Sequence, residues 1–351
     1  MPEVGANPTA EPGSGGGPEV VTLGEAMVAL VAAEPGPLAE NGTFQRHVAG
    51  AEANVAVGLA RLGHATAFIG RVGPDAFGTA IRRRLAGEGV DCSGVVVDPG
   101  AQTGILIRER RLVGSSEVLY YRRESAGSRI SGTDVQQAAD RGLLHGARWM
   151  HLTGITPALS ASAADAVDTA LNLARDAGLT ISFDVNLRRK LWSEEEARRI
   201  LAPLAAQSDV VLGSLDELAL LGEVELPAGA IDHAAATSAA DAILALGPSV
   251  AVVKLGSGGA LERRRGSDGR LVTAHHAGYP VSQPLDPVGA GDAFVAGYIA
   301  ATLEGLPAER ALALGNACGA AVAASVGDLH GLPTREEAER IMATGGPASL
   351  R

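Results

Sequence analysis

Short apolar runs of strand length alternate along this chain with longer stretches in which apolar residues recur at helical spacing. Residues 20–31 begin as a strand that runs into Gly24 and Glu25. Residues 53–62 follow as a helix apolar almost all round, with Arg61 its main charge and Gly63 its stop. The rhythm continues with a strand and a helix at 65–70 and 76–88, 148–152 and 160–177, 179–184 and 194–206, and 209–212 and 215–221. A helix at 235–246 then precedes a strand at 250–255. This alternation predicts an α/β fold with a mainly parallel central sheet flanked by helices on both faces.

Two regions break the rhythm. Residues from about 38–48 and 94–122 read as short strands separated by turn residues, Asp98-Pro99-Gly100 and Gly114-Ser115-Ser116 among them. Inserted between helical units, they predict a small β-sheet projecting from the main body, either a lid over a site or a dimerisation flap. Its open edges make a homo-oligomer the expectation. Residues 1–18, rich in Gly, Pro, Ala and Glu, predict a disordered tail ahead of one domain over 19–345.

Composition narrows the classes of function. With 46% hydrophobic and 20% charged residues, the 351-residue chain has a globular balance, and 3% aromatics leave the core to Ala, Val and Leu. A net charge of -11 argues against a nucleic-acid partner, which would need a basic stripe. The start of the chain lacks the basic and apolar parts of a signal peptide. The longest apolar stretches, 293–303 and 311–326, fall short of the roughly 20 residues that span a bilayer. No membrane partner and a cytoplasmic location are therefore expected. Cys92 and Cys318 provide neither a disulfide framework nor a zinc spacing, and both read as buried spectators.

The chemistry concentrates in Asp286-Pro287-Val288-Gly289-Ala290-Gly291-Asp292. Two glycines permit a tight turn, and the apolar run after it is a helix, so the turn lies at a helix N-terminus. Unpaired N–H groups and the positive end of the dipole there favour an anion, such as a phosphoryl group in transfer. Asp292, in the first helical turn, is placed to accept a proton from an attacking hydroxyl. A Gly-rich loop capped by an Asp is the plain alternative. The chain has neither a GxxxxGK[ST] loop nor a GxGxxG between strand and helix.

The 286–292 segment, together with Gly50-Ala51-Glu52-Ala53-Asn54 and residues 55–63, resembles the two signatures of the ribokinase-like (PfkB) carbohydrate kinases. The resemblance extends over residues 20–342. Within that family the chain is most similar to the 2-keto-3-deoxygluconate kinases (2-dehydro-3-deoxygluconokinases). The residues that carry this are Tyr120-Tyr121-Arg122-Arg123 with Ser125 to Ser128, Asp184-Val185-Asn186-Leu187-Arg188 with Leu191-Trp192, and Gly327-Asp328. Fructokinases resemble the second string too.

The resemblance implies a ribokinase-like fold with a β-sheet lid, and an ATP-dependent kinase that phosphorylates the terminal hydroxyl of 2-keto-3-deoxygluconate, giving the 6-phosphate. It implies Asp292 as base beside Gly289, Ala290 and Gly291. Gly50, Ala51, Asn54 and Asp328 would bind the sugar, with Tyr120, Tyr121 and Arg122 from the lid and Arg188 from the main body. On a strand only one of the two tyrosines can easily face the sugar. Two arginines suit an acidic sugar, because a guanidinium holds a carboxylate through paired bonds. Lys254, Gly256, Ser257, Gly258, Gly259, Asn186, Arg188, Asn316, Gly289 and Gly291 would flank ATP. Glu217, with Ser214 where many relatives carry Asn, would organise Mg2+ through water. A monovalent cation sits near the positions of Asp286 and Val288 in some relatives. Leu106 stands where the compared kinases carry Tyr, which leaves the identity of the sugar open. A kinase for fructose or ribose and a non-catalytic sugar-binding regulator are the alternatives. His275 and His276 face opposite ways on a strand and read as surface residues, and His330 as a loop residue near the site.

Overall fold

Strands of Val, Ile and Leu with alternating side chains build the sheet, and each helix closes over one of its faces. The computed structural model describes residues 17–110, 117–226, 233–266, 268–282 and 285–347. The chain runs β1 (Val20–Leu23), β2 (Met27–Pro35), β3 (Phe44–Ala49), α1 (Ala51–Arg61), β4 (Thr66–Val72), α2 (Ala76–Gly87), β5 (Val90–Asp91) and β6 (Val95–Val97). It continues through β7 (Ile105–Arg110), β8 (Val118–Tyr121), α3 (Gly132–Asp140), β9 (Trp149–Thr153), α4 (Ala161–Asp176), β10 (Thr180–Asp184), α5 (Glu194–Ala206), β11 (Val210–Ser214) and α6 (Leu215–Gly222). It closes with α7 (His233–Leu246), β12 (Val250–Lys254), β13 (Ala260–Arg265), β14 (Leu271–His276), α8 (Ala290–Leu303), α9 (Ala308–Ala323) and α10 (Arg335–Thr344).

The large sheet has the order β14-β13-β12-β11-β10-β9-β1-β4-β5, with β6 also paired to β4. Its pairings are parallel from β5 through to β12 and antiparallel at β13 and β14. Alternation along the strands feeds two cores. Val21, Phe183, Val211 and Val253 pack with α3 to α7, while Val20, Leu212 and Val252 pack with α1, α8, α9 and α10. Helix α8 is buried on nearly every side because it lies between α1 and α9. Among the described residues no helix is long and apolar enough to cross a membrane.

A second sheet of order β3-β2-β7-β8 stands apart. Its composition differs from the sequence reading in two ways. The apolar run at 20–31 is two strands: β1 ends at Leu23, the buried Glu25 lies in the connection, and β2 becomes an inner strand of the small sheet. Residues 95–97 pair with β4 in the large sheet, and the chain joins the small sheet only at Ile105. Both differences have one cause. An inner strand covered on both faces is as continuously apolar as one in the main sheet, so pattern alone assigns it to neither. Residues 38–40 form a short 3-10 turn. The expected turn at Gly114 to Ser116, and the expected tail through residue 16, lie outside the described residues. Cys318 is buried as expected, whereas Cys92 is half-buried.

Candidate functional site

Parallel strands bring their C-terminal ends to one edge, and polar residues close β10, β11 and β12 there as Asp184, Ser214 and Lys254. Lys254 Nζ lies 2.7 and 2.8 Å from the two oxygens of Asp184. Burial alone would pull the ammonium down, but Asp184, with Glu217 and Asp292 beyond it, holds the Lys254 pKa above its ordinary value. The pair is a charged post beside the start of α8.

Gly289 caps α8 in the left-handed region at φ 83°, and Asp292 is the third residue of the helix. Asn54 donates to Asp292 Oδ2 at 2.7 Å, and Asn186 approaches Oδ1 at 3.4 Å. Asn186 sits just past β10 at φ 41°, a conformation Asn tolerates better than most residues. Burial lifts the Asp292 carboxyl to about 7. The Asn54 bond opposes this, Asp184 adds to it, and Arg188 and Lys254 oppose it. A carboxylate of that pKa exchanges a proton readily near neutrality.

Two cavities meet at this point. The first, of about 280 Å³, is lined by Gly50, Ala51, Asn54, Tyr120, Arg122, Asn186, Arg188, Gly289, Asp292 and Asp328, with Met27, Ala49 and Leu106 of the small sheet as its apolar roof. The second, of about 400 Å³, lies between the loop Gly256, Ser257 and Gly259, the segment Gly278 to Val281, and the faces of α8 and α9 at Phe294 and Asn316. Lys254, Pro287 and Gly291 line both, so any group crossing from one cavity to the other passes the Lys254 ammonium and the N-terminus of α8.

Within the first cavity Gly50 is required by its backbone. Its φ is 144°, and a Cβ there would lie 2.5 Å from the Glu25 carbonyl oxygen. Asn54 Oδ1 is buried without a partner, an acceptor open to a ligand hydroxyl. Tyr120 lines the cavity opposite Leu106, whereas Tyr121 points away and is 61% exposed. Arg122 donates from Nε to Glu25 at 2.7 Å, and Ser125 Oγ donates to the other oxygen of Glu25, so the charge of this arginine is already matched. Arg188 makes no ion pair among the described residues; its closest polar contact is its own neighbour's carbonyl at 3.5 Å. Burial raises the Asp328 pKa, Arg108 opposes this, and Asp286 adds to it.

The structure separates other expected residues. Asn186 and Arg188 line the first cavity and not the second, and Gly258 lines neither. Asn316 lines the second cavity while its amide donates to the His276 and Ala277 carbonyls. Glu217 lies outside both. One of its oxygens accepts from the Ser214 N–H in the capping box of α6, and the other accepts from the Leu187 N–H in the loop after β10. Among the described residues no group of three or more His, Cys, Asp or Glu could hold a metal. His330 lies beside the site with Nδ1 3.1 Å from His47 Nδ1. Sequence reasoning missed Glu25, Arg108, Tyr279 and Phe294. Glu25 alone left a signal, a carboxylate inside an apolar run.

Residues 18–335 match the model of the pfkB family of carbohydrate kinases. The 2-dehydro-3-deoxygluconokinase of Bacillus subtilis (strain 168) is 38% identical over 91% of this chain and 94% of its own length. That of Thermoproteus tenax is 38% identical over 92% and 94%. A sugar kinase from Pyrococcus horikoshii, solved in complex with ATP, superposes with a TM-score of 0.75 at 27% identity, covering 92% of this chain and 99% of that one.

Proposed function

The chain belongs to the pfkB family of carbohydrate kinases, and we propose that it phosphorylates the terminal hydroxyl of 2-keto-3-deoxygluconate at the expense of ATP. The sugar occupies the cavity roofed by the small sheet, and the nucleotide the cavity between the 256–259 loop and α9. Asp292 takes the hydroxyl proton as the sugar oxygen bonds to the γ-phosphorus. The bond to the β-phosphate oxygen then breaks and ADP leaves. The N–H groups at the start of α8 and the Lys254 ammonium lie where negative charge moves between the cavities. Magnesium neutralises phosphate charge when bound. We infer that it arrives on the nucleotide, because Mg2+ is held mainly by substrate phosphates and water with one or two carboxylates.

One observation carries the acidic-sugar reading: Arg188 brings an unmatched guanidinium into a cavity whose other arginine is already paired. A carboxylate on the sugar gives it a bidentate partner. The neutral-sugar reading draws on the Arg122–Glu25 pair and on Leu106, which together leave most of the roof without free charge. Rates of ADP formation with 2-keto-3-deoxygluconate, its epimer, fructose and ribose separate the two. The acidic sugars should lead in kcat/KM by about tenfold or more, as a charged contact warrants. Fructose or ribose as the best acceptor would overturn the assignment.

A further inference from the structure

We propose that Arg108 is a built-in cation for the turn that carries Asp292. Its guanidinium stands at Asp286, a position near which some members of the resembled family hold a monovalent ion, and it ties that turn to the small sheet without one. The proposal rests on the kinase reading of Asp292, but not on which sugar is the acceptor.

Arg108 projects from β7, an inner strand of the small sheet, and is 4% exposed. Nη1 lies 3.2 Å from Asp286 Oδ1 and Nη2 lies 2.5 Å from Oδ2, a two-pronged pair. The same Nη2 is 3.8 Å from Asp328 Oδ1, so one cation serves two carboxylates. Asp286 Oδ1 also accepts the Val288 N–H at 3.1 Å. Oδ1 thus accepts two bonds and Oδ2 one, and the guanidinium takes the face of the carboxylate turned to β7. An ion placed there would sit against a buried guanidinium, where like charges are weakly screened. The residues therefore do not fit a monovalent ion at Asp286.

The neighbouring His47 ring does not supply the charge instead. Burial, then His330, then Arg108 push the His47 pKa down, so this imidazole is neutral near pH 7. Arg108 lines neither cavity and touches no reacting atom. It acts through a short path: strand β7 to Asp286, Asp286 to the Val288 N–H, then directly into Gly289 and the start of α8. Through Asp328 it also reaches the wall of the sugar cavity. Arg108 is thus a positioning residue.

The test measures ADP formation with the best acceptor of the sugar panel, and ATP binding by calorimetry. Both are run in potassium, sodium or choline chloride at constant ionic strength. Wild-type kcat and ATP affinity should vary by less than about twofold among the three salts, since the site already holds its cation. Arg108→Ala should lower kcat about 100-fold, the cost of a turn displaced by an ångström, with ATP KM changed far less. Added guanidinium or potassium should restore part of the loss, and Arg108→Lys should fall between the two. A wild-type kcat that rises about tenfold or more with potassium overturns the proposal, as does Arg108→Ala with kcat within about twofold of wild type. If Arg108→Ala fails to fold by circular dichroism, the wild-type salt series still decides. If no sugar in the panel turns over, that failure falls on the acceptor. ATP binding then reads the same question: salt-independent in wild type as the proposal requires, potassium-dependent if it is wrong.

Discussion

Replacing Asp292 with Asn keeps the shape of the side chain and removes its charge and its affinity for a proton. Because the folded carboxyl sits at about 7, wild-type kcat/KM should rise about tenfold per pH unit below pH 7 and level off above it. Loss of a general base costs about 10²–10⁴-fold in kcat, with ATP KM nearly unchanged, and the residual turnover should have no acid limb. The same group leaves a mark on stability. Its folded pKa lies above the ordinary 3.8, so the folded chain holds this proton more tightly than the unfolded one. The contribution is fully present below about pH 4 and is lost as pH rises through 7. Between pH 6 and 8 the wild type should lose about 1 kcal/mol on this account, after a discount for the partial exposure of the side chain. That is about 2 °C of Tm, and Asp292→Asn should not lose it. A coupled ADP assay from pH 5 to 9 and thermal melts at pH 6 and 8 supply the readouts. Turnover by Asp292→Asn above about a tenth of wild type, or a wild-type acid limb near pH 4, refutes the assignment of the base.

Three further outcomes follow from the same geometry. Arg188→Leu should raise KM for an acidic sugar about 10- to 100-fold, the worth of a charge-assisted pair, and leave KM for ATP and for neutral sugars almost unmoved in steady-state kinetics. Lys254→Met strands the buried Asp184 carboxylate and should cost about 3–5 kcal/mol in denaturant titrations, with Asp184→Asn added to the same chain recovering a large part. It should also move the acid limb to higher pH, because Lys254 holds the Asp292 pKa down. Gly50→Ala forces a Cβ against the Glu25 carbonyl at a backbone angle that L residues avoid. It should lose about 1–3 kcal/mol by thermal melting and weaken sugar binding.

The parts of the fold that the sequence exposes are those with a period. Strand and helix alternate from β9 to β12 as the pattern predicts, and the polar residues that end β10 and β12 mark the reactive edge of the sheet. The Asp292 turn is readable because two glycines and a carboxylate precede an apolar helix, each for a local reason. Contacts that depend on tertiary approach leave no such mark. Arg122 looks like a ligand for a substrate acid until Glu25, 97 residues away, is found bonded to it. The bonds of Glu217 to the amides of Leu187 and Ser214 are likewise invisible in the sequence, since Leu187 lies 30 residues away. Arg108 is one of two arginines on β7, whose first half is apolar, and its pairing with Asp286 spans 178 residues of sequence.

A single residue stands between the small sheet and the helix that carries Asn54: β3 ends at Ala49 and α1 begins at Ala51. Two torsions, those of Gly50, are all the slack in that joint, and the Glu25 carbonyl presses on it from one side. A tilt of β3 reaches the first turn of α1, and the Asn54 bond to Asp292, through that one residue. Roof and base are therefore the two arms of one lever, with Gly50 as its fulcrum.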